Sequence, residues 1–414
     1  MGKDILWTVF GQVAVMLVLL VTNKIVSVFL SVDDFGIFNI IKKNSQVLAF
    51  AMLGGAGIAI PKYLAFYKTK KQYFKFLRSV QSSFIYVLAL IIVFATLSVL
   101  LYNYLYIYLV GKDDGCLYLA AILYSINLAV AQLLFCYFRG NDNFKYFTLY
   151  QIIFQLITLI PLCFVGMLSP LFIYITWSVI GILFIAIVTL KEFKRTRFAV
   201  FKNFNLSMIK PRLIEFTIYS LPRLLGDFFL FAISAFPLIF IGRHSTLENV
   251  SLYSIGITLS NMVTPIFSFL GIILLPYVSK CLAENKLDIA VKNIKKLSVV
   301  YLGFASAATL FLYFLMPFLI QIFFDAKYLS GVEFSRIIIL SIVPQSMYLL
   351  FRNPIDAISK IPYNTIILGV TFAVLIVAFI YSNNLSDYAI AFLIASTLEG
   401  LMSIAAFLIA RKTN

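Results

Sequence analysis

Six ionisable side chains lie well inside long apolar stretches of this 414-residue chain: Lys24, Lys42, Lys43, Arg223, Asp227 and Glu399. A charge near the centre of a membrane helix costs about 2.5 to 3.5 kcal/mol, so six facing lipid would cost roughly 15 to 20 kcal/mol, more than the stability of a typical domain. Most of them must therefore face a lumen. The chemistry they offer is electrostatic. Lysine and arginine hold an anion such as a phosphate, Asp227 stands one helical turn from Arg223, and Glu399 offers a site for a proton or a cation.

Spacing places several of them on polar stripes. Asn39, Lys42, Lys43 and Gln46 follow an i, i+3, i+4, i+7 pattern that continues toward Gly54 and Gly57. Lys24, Lys42 and Lys43 lie about 10 Å below the nearer membrane surface at 1.5 Å per residue. Two readings of the lysines stay open, an anion-facing cluster and snorkelling to the headgroups. Ser220, Arg223, Asp227 and Ser234 share one side of a helix that Pro222 is predicted to bend. Arg223 and Asp227 read either as a structural pair or as a switch in which Arg223 exchanges Asp227 for a phosphate. Glu399, in line with Ser396 and Ser403, reads as a coupling site or as a packed, neutral carboxyl. Uncharged stripes run through Thr148, Gln151, Gln155 and Thr158, through Ser254, Thr258, Asn261 and Ser268, and through Ser341, Gln345, Tyr348 and Arg352. They suit hydroxyl-rich cargo, and interhelical hydrogen bonding explains them equally well. The polar lining named from these patterns is Asn39, Gln46, Ser220, Asn261 and Gln345.

The elements that position these residues are membrane helices. The chain is 62% hydrophobic and 12% charged, with a mean hydropathy of +1.00, which excludes an ordinary water-soluble globule. Apolar runs fall at 5–30, 36–60, 79–110, 116–138, 146–168, 170–190, 213–241, 250–279, 297–324, 332–351, 362–382 and 388–410. They predict an all-α polytopic membrane protein of about twelve spans, because hydrocarbon tolerates only helices and closed barrels, and barrel strands are near ten residues. The first run is too long for a signal peptide and is expected to be retained.

Of the 33 lysines and arginines, 25 fall on alternate connections beginning with Lys3, and only Lys112, Arg243, Lys327 and Arg336 fall on the opposite ones. Both termini are therefore expected to be cytoplasmic. The net charge of +16 follows from that topology, and no nucleic-acid partner is expected. Cys116, Cys136, Cys163 and Cys281 are scattered singly, so neither a metal site nor a disulfide framework is indicated, and no cofactor is expected.

A repeat divides the chain. The segments "FGIFNIIKKNSQVLAFAMLGGAGIAIPKYL" and "VSLYSIGITLSNMVTPIFSFLGIILLPYVS" superpose at an offset of 215 residues, with Phe38 on Tyr253 and Pro61 on Pro276. The expected organisation is a six-helix lobe over 1–190, a basic cytoplasmic connector over 191–212 and a second six-helix lobe over 213–414. Parallel repeats of this kind imply a central cavity at their interface and alternating access.

The stretches "SVDDFGIFNI", "GGAGIAIPKYLA", "YFRGNDNFKYFTLYQ", "NVSLYSIG" and "LLPYVSK", in this order and spacing, resemble the polysaccharide transporter branch of the multidrug/oligosaccharidyl-lipid/polysaccharide exporter superfamily, in particular the Wzx-type O-antigen and capsule repeat-unit flippases. The resemblance implies a two-lobed bundle in a bacterial inner membrane. It would move an undecaprenyl-pyrophosphate-linked oligosaccharide for polysaccharide biosynthesis from the cytoplasmic to the outer leaflet. Lys24, Lys42, Lys43 and Arg223 are the positions here that could supply the family's cationic cavity, with Asp227 and Glu399 as ion-pair or coupling groups. Implied partners are membrane lipids, H+ or Na+ as coupling ion, and other polysaccharide assembly proteins.

A drug:cation antiporter of the same superfamily is the alternative. No Asp or Glu lies between Asp4 and Asp33, and Lys24 on that run repels cationic cargo. A membrane glycosyl polymerase or ligase is more remote. The lone His244 has no partner set for acid-base or nucleophilic work, so no enzymatic activity is expected.

Overall fold

The computed structural model describes residues 2–141, 143–195, 206–264, 286–359 and 361–411, together with positions 267, 274, 277, 278 and 281. Among them every regular element is helical. The chain packs as two compact units, Met1–Phe231 and Ala232–Asn414.

In the N-terminal unit, α1 (Gly2–Phe29) is followed by α2 (Val32–Leu53), α3 (Ala56–Thr69), α4 (Tyr73–Leu100), α5 (Tyr102–Val110), α6 (Gly115–Gly140), α7 (Phe144–Ile157), α8 (Pro170–Arg195) and the first part of α9 (Leu206–His244). Ser31 caps α2, its Oγ accepting from the Asp34 amide at 3.0 Å. Asp33 and Asp34 in the first turn complement the helix dipole. Asp114 caps α6 in the same way through the Leu117 amide at 3.0 Å.

The expected run 36–60 is not one helix. Gly54 (φ 55°) and Gly55 (φ 75°) take left-handed conformations between α2 and α3, which only glycine adopts without strain. The Tyr86 hydroxyl of α4 donates to the Gly54 carbonyl at 2.7 Å and holds the break. Beyond it, α6 packs on α3. Arg139 donates to the Gly57 carbonyl at 2.6 Å, and a Cβ on Gly140 would come within 2.9 Å of the Pro61 backbone. The stretches "GGAGIAIPKYLA" and "YFRG" thus meet across one helix crossing. The start of α9 is pinned to α3 by Arg212, which donates to the Tyr67 hydroxyl at 2.5 Å and pairs with Glu215, and by Lys62 over the Tyr219 ring at 3.7 Å.

The C-terminal unit contains the rest of α9, then α10 (Leu247–Asn261), α11 (Leu287–Phe323), α12 (Val332–Ile339), α13 (Ile342–Ile358), α14 (Tyr363–Ile380) and α15 (Leu385–Ala410). Close packing of α15 on α13 needs Gly400, where a Cβ would meet the Pro344 carbonyl oxygen at 2.6 Å. His244 ends α9, stacked on Phe240 at 4.1 Å.

Among the described residues, nine helices are long and apolar enough to cross a membrane, and a tenth span is formed if Ala326–Ile339 and Ile342–Ile358, bent by 42°, count as one. Of the other two expected runs, 36–60 is broken at Gly54–Gly55 and 250–279 extends beyond the described residues. The outward faces are apolar: Leu88, Ile92 and Leu100 on α4, and Val299, Phe311 and Phe314 on α11, are exposed. Such patches suit lipid rather than water. This is a multi-pass membrane protein.

Candidate functional site

The N-terminal unit contains a cavity of about 380 Å³, within the range of clefts that take small ligands. Its polar lining comes from four helices: Gln12 of α1, Lys42 and Gln46 of α2, Gln132 of α6, and Gln151 and Gln155 of α7. Phe50, Tyr124, Phe154, Trp177 and Phe231 supply aromatic walls. Helix geometry accounts for the pairs, since Lys42 and Gln46, like Gln151 and Gln155, stand four residues apart and project from one face.

Lys42 is the one charged residue of this lining among the described residues. Its ammonium donates to the Asn23 side-chain oxygen at 3.0 Å and lies 5.4 Å from the centre of the Phe38 ring. That ring is itself packed on Tyr174 and Trp177. The Tyr174 hydroxyl donates to the Phe38 carbonyl at 2.6 Å and fixes α8 against α2. On the far wall, Gln155 donates to the Thr158 hydroxyl at 3.2 Å and the Trp177 indole donates to the Thr158 carbonyl at 2.9 Å. The side-chain oxygen of Gln151 is buried with no hydrogen-bond partner among the described residues. No carboxylate lines the cavity among the described residues.

The stripe read on α2 divides. Lys42 and Gln46 line the cavity, whereas Asn39 is buried and donates to the Phe35 carbonyl of its own helix at 2.8 Å. Lys43 is half-buried and stays outside the lining, about 100° around the helix from Lys42. Lys24 is half-buried on α1 and also outside it. Ser220 on α9 is fully buried, and its hydroxyl has no partner among the described residues. The side chains of Arg223 and Asp227 lie outside the described residues, and α9 runs unbroken past Pro222.

In the C-terminal unit Asn261 is exposed at the end of α10. Gln345 of α13 donates to the Ser396 hydroxyl of α15 at 3.3 Å. One turn further, Glu399 is 5% exposed, with Arg352 of α13 acting on it electrostatically. Gln345, Ser396 and Glu399 are thereby brought together, on two facing helices. Among the described residues no group of three or more His, Cys, Asp or Glu could hold a metal ion.

Gln12 and Gln132 were missed by sequence reasoning. Each is a lone amide in an apolar run, and an amide at membrane depth is by itself a signal for a lumen or a helix contact.

The fold is similar to that of known transporters. An inward-facing multidrug resistance MATE family transporter of the MOP superfamily aligns with a TM-score of 0.73 at 12% identity, covering 96% of this chain and 94% of that one. A lipid II flippase, MurJ, in an inward closed conformation aligns with a TM-score of 0.73 at 14% identity, covering 99% and 90%. A MOP superfamily transporter from Pyrococcus furiosus, described as having a binding pocket of reverse polarity, aligns with a TM-score of 0.65 at 12% identity, covering 99% and 95%. No curated protein sequence matches the chain. The sequence profile of the family described as polysaccharide biosynthesis protein matches residues 1–282. With that match over more than half its length, on a fold shared with MOP superfamily transporters, the chain belongs to the polysaccharide biosynthesis protein family.

Proposed function

We propose that this chain flips a polyprenyl-pyrophosphate-linked oligosaccharide repeat unit from the cytoplasmic to the outer leaflet of a bacterial inner membrane by alternating access. The observation that carries this reading is the cavity lined by Lys42 and glutamines inside an apolar unit of a polysaccharide biosynthesis family member. A diphosphate bears charge that hydrocarbon rejects, and a fixed ammonium offsets its desolvation. Lys42 uses one N–H on Asn23 and keeps two for phosphate oxygens. Arg223 is assigned to the path of the phosphate, and Lys24 and Lys43, outside this lining, raise the positive potential of the unit. Asp227 receives Arg223 when the phosphate leaves, and Glu399 takes the coupling ion, H+ or Na+. A lipid II flippase shares the fold, and a lipid-linked glycan is cargo of the same kind. A drug:cation antiporter is disfavoured because Lys42 repels an organic cation.

The test is deletion of the gene in its host with labelling of the lipid fraction. Lipid-linked oligosaccharide accumulates and surface polysaccharide is lost. Wild type restores export, and Lys42→Ala or Arg223→Ala restores less than about a tenth of it, the effect of losing one charged hydrogen bond. Normal lipid pools and normal surface polysaccharide, in a strain without a second flippase, overturn the proposal.

A further inference from the structure

Within the N-terminal cavity, Lys42 accounts for the phosphate and leaves the glutamines without a role. Gln12, Gln46, Gln132, Gln151 and Gln155 converge from α1, α2, α6 and α7 on one lumen. A primary amide carries two donors and an acceptor, and burying it without partners costs about 1 to 3 kcal/mol. Gln151 retains a buried side-chain oxygen that no described group satisfies. Beside Lys42, the five amides carry no charge of their own, so they match neither a second anion nor an organic cation. They match a ligand whose own groups both donate and accept, and a sugar hydroxyl does both. The aromatic walls, Trp177 and Tyr124 among them, suit the C–H faces of pyranose rings.

We infer that the glutamine-lined lumen of the N-terminal unit is a glycan subsite, in which the sugar moiety of the cargo is held by Gln46 and Gln151 against Trp177 while its diphosphate stays at Lys42. This rests on the reading of the chain as a carrier of a glycan-bearing lipid, and it deepens that reading by assigning the sugar a site inside one unit.

Trp7 and Trp177 are the two tryptophans of the chain, so Trp7→Phe leaves Trp177 as a reporter within the cavity. The experiment titrates the full-length Trp7→Phe protein in detergent with oligosaccharide released by mild acid from the host's lipid-linked pool. Trp177 emission is expected to change saturably, and neither inorganic pyrophosphate nor tetraphenylphosphonium should displace the glycan. Gln46→Leu with Gln151→Leu weakens the response about tenfold, the effect of one or two lost hydrogen bonds. Gln151→Asn, which keeps an amide one methylene shorter, gives an intermediate value and guards against misfolding. The unsubstituted cavity decides the outcome by itself. If vesicles containing the protein carry the lipid-linked cargo while the free glycan leaves Trp177 unchanged, the cavity holds only water and this inference falls alone. Displacement by pyrophosphate or by tetraphenylphosphonium overturns it as well. If the glycan does not bind and the cargo is not carried, the functional reading falls with it.

Discussion

The Lys42 ammonium and the Asn23 side-chain oxygen stand 3.0 Å apart and tie α2 to α1 at the wall of the N-terminal cavity. Asn23 is 4% exposed, whereas Lys42 is half-buried and faces the cavity. The pair holds a positive charge in place without neutralising it, as an amide partner does and a carboxylate would not.

Removing the charge should therefore matter more than removing its partner. Lys42→Met is expected to lower transport of lipid-linked oligosaccharide about ten- to hundredfold, the equivalent of charged hydrogen bonds worth about 1.5 to 3 kcal/mol. Asn23→Ala keeps transport within about tenfold of wild type. Export rates in the complemented deletion strain check the order of the two variants, and an Asn23→Ala defect as deep as that of Lys42→Met would contradict it.

The break between α2 and α3 depends on Gly54. At φ 55°, a side chain there is strained by about 1 to 2 kcal/mol, and a Cβ would run into Leu90 and Tyr86. Gly54→Ala should lower the thermal midpoint of the purified protein by several degrees. Gly303→Ala on α11, where a Cβ meets nothing within 4 Å, should leave it unchanged or raise it slightly. Equal midpoints for both variants would remove the break from the account of the fold.

Much of this arrangement can be read in the residue order. Uninterrupted apolar runs locate the helices, because backbone groups in lipid must bond within their own segment. Of the charged and amide residues singled out among them, Lys42, Gln46, Gln151 and Gln155 line the described cavity. The run 36–60 misleads because Gly54 and Gly55 are small apolar residues in a hydropathy sum, and only their left-handed backbone angles show the break. A stripe fixes which face of α2 is polar but not which neighbour covers it. Asn39 therefore turns to its own backbone, whereas Gln46 reaches the cavity. Gln12 of α1 is more than a hundred residues from the glutamines of α6 and α7, and only packing brings them together.

Glu399 is buried one turn from the Gln345–Ser396 bond. If it carries the coupling ion, Glu399→Gln, of nearly equal shape, should fold with an unchanged thermal midpoint yet lose the response of transport to an imposed proton or sodium gradient. Transport in vesicles with and without each gradient reads this directly. A Glu399→Gln protein that still responds would leave Glu399 a structural residue.

Orientation is testable with native thiols. Cys116 and Cys163 are exposed beside connections opposite the basic ones, and Cys281 lies within the basic segment 280–296. A membrane-impermeant maleimide added to spheroplasts should label Cys116 or Cys163 and spare Cys281. Labelling of Cys281 alone would invert the topology.

The most direct measurement is of translocation itself. Purified protein is reconstituted into vesicles holding lipid-linked oligosaccharide in both leaflets, and an impermeant glycosidase reports the fraction reachable from outside. Flipping predicts that the wild-type protein makes nearly all of the glycan accessible and that the Lys42→Met protein leaves about half protected over the same period. Half remaining protected with the wild-type protein, under any imposed ion gradient, would contradict the central claim.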